Sequence, residues 1–405
     1  MLAFTSLILL SLRGAVGLGN DLHNQCKIEC PVKSAYEFAN LQAMVNTYAG
    51  DLWDESPGDF PTTVTVRIHK YQLFHYQKNY GCQFKSLIED PLAKDRLHKK
   101  NLVTPASFFT DYQRFKDQEA WLKKIVADNP EKAKLAVMGH SIEGRPLYVV
   151  RLSANKSFTR KAIWVNGGQH AREWLSPAAC LYLIQEYLGS TSTNSTNNQK
   201  LTKYDLIVAP NINPDGYEYS HTMNRYWRKN KRVNRDGSIG VDLNRNWDFK
   251  WNEINGGGAT SSEVYPGLGP ASEPEVKATA DYILSLKDQI LAGIDVHTYG
   301  QVVLRNYGWT MTPSRDEAKF KRHGDAMALA AKKVQQKKYK SQLSAGLYPT
   351  SGSLDDWFYE RAGFAGFTFE MRDDGICGFV CPKEYIVPNG KELVAAVGAL
   401  ADQLQ

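Results

Sequence analysis

Beyond about residue 100 the chain repeats one rhythm: a short apolar run, then a longer stretch in which apolar positions recur every three or four residues. The runs are 136–139 (AVMG), 147–152 (LYVVRL), 162–167 (AIWVNG), 206–210 (LIVAP), 290–296 (ILAGIDV) and 365–370 (AGFTFE). Runs this short and this continuously apolar read as strands buried on both faces, and the periodic stretches between several of them read as helices. Their alternation predicts an α/β domain over 101–405, with a mixed, largely parallel central sheet flanked by helices. Ser176 followed by Pro177 is read as an N-cap and first turn, with Gly189 as the stop. Ser272-Glu-Pro-Glu275 is read as a capping box opening the next helix.

Residues 18–100 have a different texture, dense in charge and aromatics, with one strand-like run at 62–68 (TTVTVRI) and a basic end, Arg96-Leu-His-Lys-Lys100. This predicts a small leading α+β domain and an exposed linker. The first residues, MLAFTSLILLSL, are apolar but too short for a membrane span of roughly 20 residues. Small residues at Ala15-Val16-Gly17 predict cleavage after Gly17, so 1–17 is read as a signal peptide. No later stretch is apolar enough to cross a bilayer, and a secreted product without a membrane partner is expected.

The chain holds 49 Lys and Arg against 43 Asp and Glu, spread along its length, so the clustered footprint of a nucleic-acid binder is missing. Six cysteines, at 26, 30, 82, 180, 377 and 381, suit an oxidising compartment. Cys26/Cys30 and Cys377/Cys381 are plausible local disulfides, although the sequence does not choose among the pairings; Cys180, inside an apolar helical pattern, reads as a buried thiol. Asn155 and Asn194 head glycosylation sequons.

The chemistry gathers at strand ends. His170 and Glu173 lie in NGGQHAREWLSP, where a turn between strand and helix aims both side chains at one point. Catalytic zinc takes three protein ligands and keeps one position open, and two His plus one Glu is an established set. His297 follows 290–296, at the end where α/β sheets present ligand sites, and is the third candidate. Around them stand NRYWRKN (224–230), VDLNRNW (241–247), LYPTSGSLDDW (347–357) and FTFEMRD (367–373).

These motifs, in this order and spacing, resemble the zinc metallocarboxypeptidases of the digestive carboxypeptidase A and B type, from about Phe109 to the C-terminus. The resemblance implies one Zn2+ per chain held by His170, Glu173 and His297, with Asp242 orienting a ligand imidazole. It implies Glu370 as general base, Arg228 as the donor to the developing oxyanion, and Asn244 and Arg245 as the grip on the substrate's C-terminal carboxylate. Tyr348 would close over the bound residue, Arg172 would hold the upstream peptide, and Phe379 would line the site. Asp355 takes the pocket-floor position at which B-type enzymes carry Asp, which implies release of C-terminal Lys or Arg; Leu343 and Leu354 add bulk near that pocket, and Asp356 is expected to be structural.

The chain departs from the family where Ser238 and Ser261 replace a disulfide and where the Cys377/Cys381 pair flanks Phe379. Residues 18–100 resemble the family's inhibitory pro-domain only loosely, which implies a shield removed by a trypsin-like protease cutting between Arg96 and Lys100. The expected partners are therefore peptide C-termini and that protease. The alternatives are an A-type enzyme releasing aromatic or aliphatic residues, and a binding protein on the same scaffold. A binding protein would be expected to lose a ligand or the base, and none is lost.

Overall fold

The computed structural model describes residues 24–47, 50–53, 60–88, 105–154, 156–189, 202–254, 258–373 and 377–404. The leading residues build β1 (Gln25–Val32), β2 (Asp51–Leu52), β3 (Thr62–His69) and β4 (Gln83–Leu87), an antiparallel sheet of order β2-β3-β1-β4. Helices α1 (Ala35–Thr47) and α2 (Leu73–Tyr80) complete this small module, whose core joins Ile28, Leu41, Val45, Val64, Val66 and Tyr76.

The apolar runs become strands of a second sheet: β5 (Ala133–His140), β6 (Pro146–Leu152), β7 (Ala162–Gly167), β8 (Asp205–Ala209), β9 (Ile290–Thr298) and β12 (Ala365–Met371). Two further strands, β10 (Val302–Arg305) and β11 (Lys340–Leu343), extend it to eight, in the order β11-β10-β12-β9-β7-β8-β6-β5. The centre is parallel (β8 with β7, β7 with β9, β9 with β12), and antiparallel pairs lie towards both sides, so the sheet is mixed as the runs predict. Helices α3 (Phe115–Asp128), α4 (Leu175–Gly189), α5 (Pro214–Thr222), α6 (Pro274–Ser285), α7 (Glu317–Gln335) and α8 (Ile386–Gln403) complete the domain. Helix α4 is buried almost all round, as a helix apolar on every face must be, and packs against α8 in the larger core cluster.

Three local expectations are corrected. Ser176 is not the N-cap of α4, which begins one residue earlier; its Oγ accepts from Gly168 N at 2.9 Å and donates to Val296 O at 2.5 Å, tying the helix to two strand ends. The capping box at 272–275 does not form. Glu273 is the N-cap of α6 and makes no side-chain cap, because its carboxylate takes Asn230 and Arg232, while Glu275 accepts from Ile142 N and Asn230. Cys30 pairs with Cys82, not with Cys26. Residues four apart in a strand are separated by about 13 Å, beyond the reach of a disulfide.

Cys377 and Cys381 are joined, and Cys180 and Cys26 are buried thiols. The signal segment, the basic linker and both sequon asparagines lie outside the described residues. Among the described residues no helix is long and apolar enough to cross a membrane.

Candidate metal centre and substrate cleft

Strand β7 delivers the chain to a turn that only glycine permits: Gly168 has φ +72°, and a Cβ there would meet Asn211 Oδ1 at 2.9 Å. Two residues later His170 enters the cleft with Glu173 one turn on, and β9 brings His297 from the neighbouring strand. His170 Nδ1 lies 2.7 Å from Glu173 Oε1, His297 Nδ1 lies 3.0 Å from Glu173 Oε2, and the two Nδ1 atoms are 3.1 Å apart. All three side chains are buried, and one ligand atom from each lies within 4.8 Å of the others. Two imidazole nitrogens and a carboxylate converging on one point are a donor set that suits tetrahedral zinc with an open position.

The outward nitrogen of each ring meets a carboxylate. His170 Nε2 is 3.1 Å from Asp242 Oδ1, in line with the expected orienting role, and His297 Nε2 is 2.7 Å from Asp295 Oδ2. Such partners fix which ring nitrogen faces the metal. Asp295 was not among the expected site residues. Its signal is the strand period of two, which puts it on the same face of β9 as His297. Asp295 is itself held by Asn166 at 2.7 Å and by Gln169. Burial raises the pKa of Asp242, but Arg228 and His170 outweigh it and hold the carboxyl well below its usual range. In Glu173 burial is likewise outweighed by the two imidazoles, and its pKa falls.

Seven of the remaining predicted residues, Arg228, Asn244, Arg245, Tyr348, Asp355, Glu370 and Phe379, line one cavity of about 330 Å³ with the triad, whereas Arg172 and Asp242 lie behind its lining. Glu370 is brought there by register, since β12 runs parallel to β9 and places Glu370 opposite His297. Arg228 reaches Asp242 Oδ2 through Nε and Nη2, at 3.1 and 2.9 Å. Asn244 accepts from Leu354 N at 3.0 Å, and Arg245 donates to the Tyr348 hydroxyl at 3.1 Å. Arg172 is in the same neighbourhood, with its guanidinium 4.0 Å from the Phe379 ring centre, and Phe379 lines the cavity.

Asp355, Ser353, Ser344, Thr350 and Thr368 line the same cavity. Asp355 is 1% exposed and its Oδ2 has no hydrogen-bond partner. Burial raises its pKa, and the nearby Ser353 and Ser344 hydroxyls pull it the other way. Asp356 differs: its oxygens accept from Asn306 Nδ2, Gly308 N and Trp309 N at 3.0 to 3.1 Å, so it is a structural anchor, although burial and the charge of Asp355 push its pKa up to about 8. Leu354 is fully buried in the smaller core cluster, and neither it nor Leu343 lines the cavity. The bulk expected from them is directed elsewhere.

The leading module covers this cleft. Trp53, Thr62 and Thr63 line the cavity, the Trp53 ring lies 5.2 Å from that of Tyr226 and 6.1 Å from that of Phe379, and Asp51 binds Arg172. Arg67 bridges Asp51 at 3.3 Å to Glu263 at 3.7 Å, all three buried.

A two-histidine, one-glutamate metal site beside a cleft glutamate defines a zinc hydrolase. The family model of zinc carboxypeptidases matches residues 118–396, and the chain belongs to that family. Human carboxypeptidase B2 is 35% identical over 321 residues, covering 78% of this chain and 75% of that protein. Rat carboxypeptidase A1 is 30% identical over 365 residues, covering 87% and 86%. Among solved structures, thrombin-activatable fibrinolysis inhibitor superposes with a TM-score of 0.81 at 27% identity, over 94% of this chain and 99% of that one. Zinc is thus the metal of the triad, and the chain is a metal-dependent hydrolase. Relatives of both the A and the B kind leave the choice of substrate to the pocket residues.

Proposed function

We propose that this chain is a secreted zymogen whose cut form removes C-terminal Lys or Arg from peptides. The observation that carries the substrate choice is Asp355. A buried carboxylate lining a substrate cavity, with no ion pair among the described residues, is costly until a cation meets it. An incoming ammonium or guanidinium supplies that cation, while Val302, Leu304 and Leu347 offer walls for its methylene stem.

The remaining roles follow from position. Arg245 and Asn244 bind the terminal carboxylate, and Tyr348, hydrogen-bonded to Arg245, closes over the bound residue. Zinc, when bound, supplies a Lewis acid that polarises the scissile carbonyl and acidifies water. Glu370 takes the proton of the attacking water and hands it to the leaving amine. Arg228, its fork steadied by Asp242, donates to the carbonyl oxygen as negative charge develops there. Arg172 and Phe379 hold the peptide upstream of the scissile bond.

Latency follows from the leading module. Asp51 occupies Arg172 and Trp53 lies in the cleft, which supports reading residues 18–100 as a pro-domain and 101–405 as the catalytic domain, separated by a trypsin-like cut in the basic linker. The apolar start and the disulfides support secretion. The test is release of C-terminal residues from matched peptides ending in Arg, Phe or Leu, before and after trypsin, with and without a chelator. Expected are latency before the cut, chelator-sensitive release of Arg far above Phe after it, and a loss of about 100-fold on Arg peptides in Asp355→Leu. A preference for Phe in the unmodified enzyme would refute the basic pocket.

A further inference from the structure

Phe379 is held from three sides. Its ring meets Arg172 at 4.0 Å, Tyr299 at 5.0 Å and Trp53 at 6.1 Å, and its carbonyl accepts from Arg225. Trp53 belongs to the leading module, so that contact goes when the module goes. What remains are the contacts with Arg172 and Tyr299 and the five-residue loop that carries the ring, 377–381, closed by its own disulfide. The ends of the loop are tethered separately: Asp373 accepts from Cys377 N and Gly378 N at 2.5 and 3.2 Å, and the Tyr112 hydroxyl donates to Cys381 O at 3.0 Å. Those tethers fix where the loop leaves and rejoins the domain, and the covalent bridge limits what lies between them.

We infer that the Cys377–Cys381 bond is a positioning device that keeps Phe379 over Arg172 in the cut enzyme and so sets affinity for the peptide upstream of the scissile bond. This rests on the reading of Arg172 and Phe379 as upstream contacts. Closing a short loop covalently removes the alternative conformations in which the ring would swing out of the cleft. The two cysteines are not residues that touch substrate; they act through Phe379. The bond is also within reach of solvent chemistry. Cys377 is half-buried, whereas Cys30 and Cys82 are buried within the leading module. A water-soluble phosphine reductant therefore attacks here first; with one water it cleaves the S–S bond to two cysteine thiols and is itself oxidised by two electrons to the phosphine oxide, and it brings no dithiol that would chelate zinc. Upstream affinity becomes dependent on redox state while the metal centre is untouched.

The experiment compares trypsin-treated wild type, Cys377→Ala/Cys381→Ala, Phe379→Ala and the triple variant, on a blocked dipeptide and on a hexapeptide with the same C-terminal residue. For the cysteine variant KM on the hexapeptide is expected to rise roughly tenfold with kcat unchanged, and the dipeptide to be cleaved as before. The triple variant should be no worse on the hexapeptide than Phe379→Ala, because contacts that act as a unit are not additive. Mild phosphine treatment of the folded, zinc-loaded wild type should reproduce the rise, expose two titratable thiols, leave zinc content unchanged and reverse on reoxidation, which covers the case of a variant that folds poorly. A cysteine variant that slows both peptides equally, loses kcat, or adds to Phe379→Ala would overturn the inference. Phe379→Ala without a length-dependent KM would remove the upstream reading beneath it.

Discussion

At the metal end of the cleft each ligand histidine turns its outward nitrogen to a carboxylate, and those carboxylates are held in turn by Arg228, Asn166 and Gln169. At the pocket end Asp355 Oδ2 and Thr350 Oγ1 are buried with no hydrogen-bond partner. The first region is pre-satisfied behind the ligands: the carboxylates there spend their hydrogen bonds on orientation, and the ligand atoms face the cleft beside Glu370 and Arg228. The second stores an unmet demand that a substrate side chain answers. Chemistry needs groups that do not reorganise during the reaction, whereas selectivity needs groups whose wrong occupant leaves them unpaired.

The sharpest break of this contrast separates chemistry from metal binding at one end. Glu370→Gln keeps the shape of the cleft and all three ligands but removes the proton acceptor. We expect kcat to fall about 10³-fold with zinc content, measured by elemental analysis, unchanged. Loss of zinc together with activity would mean that Glu370 supports the metal and is not the base. A smaller effect tests whether the orienting carboxylates matter as much as their geometry suggests. In Asp295→Asn the amide still reaches His297 Nε2 but no longer offers two anionic oxygens to His297, Asn166 and Gln169. Zinc affinity, read by competition with a chelator, is expected to weaken roughly 10- to 100-fold, with the Arg-over-Phe preference intact. A changed preference without a change in affinity would join the two ends that are here kept apart.

The legibility of these regions from sequence follows the same physics. The metal ligands were readable because they sit just after short, continuously apolar runs, where side chains at strand termini converge, and within motifs whose order and spacing are specific. The same runs located six of the eight strands in the central sheet. Strands β10 and β11 escaped: VVLR is only four residues long, and KSQL is a half-exposed edge strand with one apolar residue, held by register with β10 rather than by burial. The helix-start signals at Ser176 and at 272–275 were real hydrogen-bonding capacity directed elsewhere, because Val296 O, Asn230 and Arg232 offered better partners than the helix end. The Cys30–Cys82 pair depends on how β4 lies beside β1, and contacts such as Asp51 with Arg172 join modules with no shared periodicity. Neither leaves a trace in local pattern.

The smallest expected effect is a pH dependence that only the pocket end should show. Burial raises the pKa of Asp355 above that of an ordinary carboxyl, whereas Glu173 and Asp242 are held below theirs by the charges around them. As pH falls through the raised value, Asp355 takes up a proton and an incoming cation loses its partner. A Phe side chain does not use that charge, and a carboxyl without charge costs an apolar occupant less. The ratio of kcat/KM for Arg over Phe peptides should therefore fall as pH falls, by up to about tenfold for each pH unit below the raised pKa. An effect of pH on the chemical step acts on both substrates and cancels in the ratio, so the slope reports the floor alone. Asp355→Asn should abolish the slope along with most of the preference. A ratio that stays level with pH in the unmodified enzyme would mean that the cation is met by something other than this carboxylate, and the unmet demand at the floor would then need a different occupant.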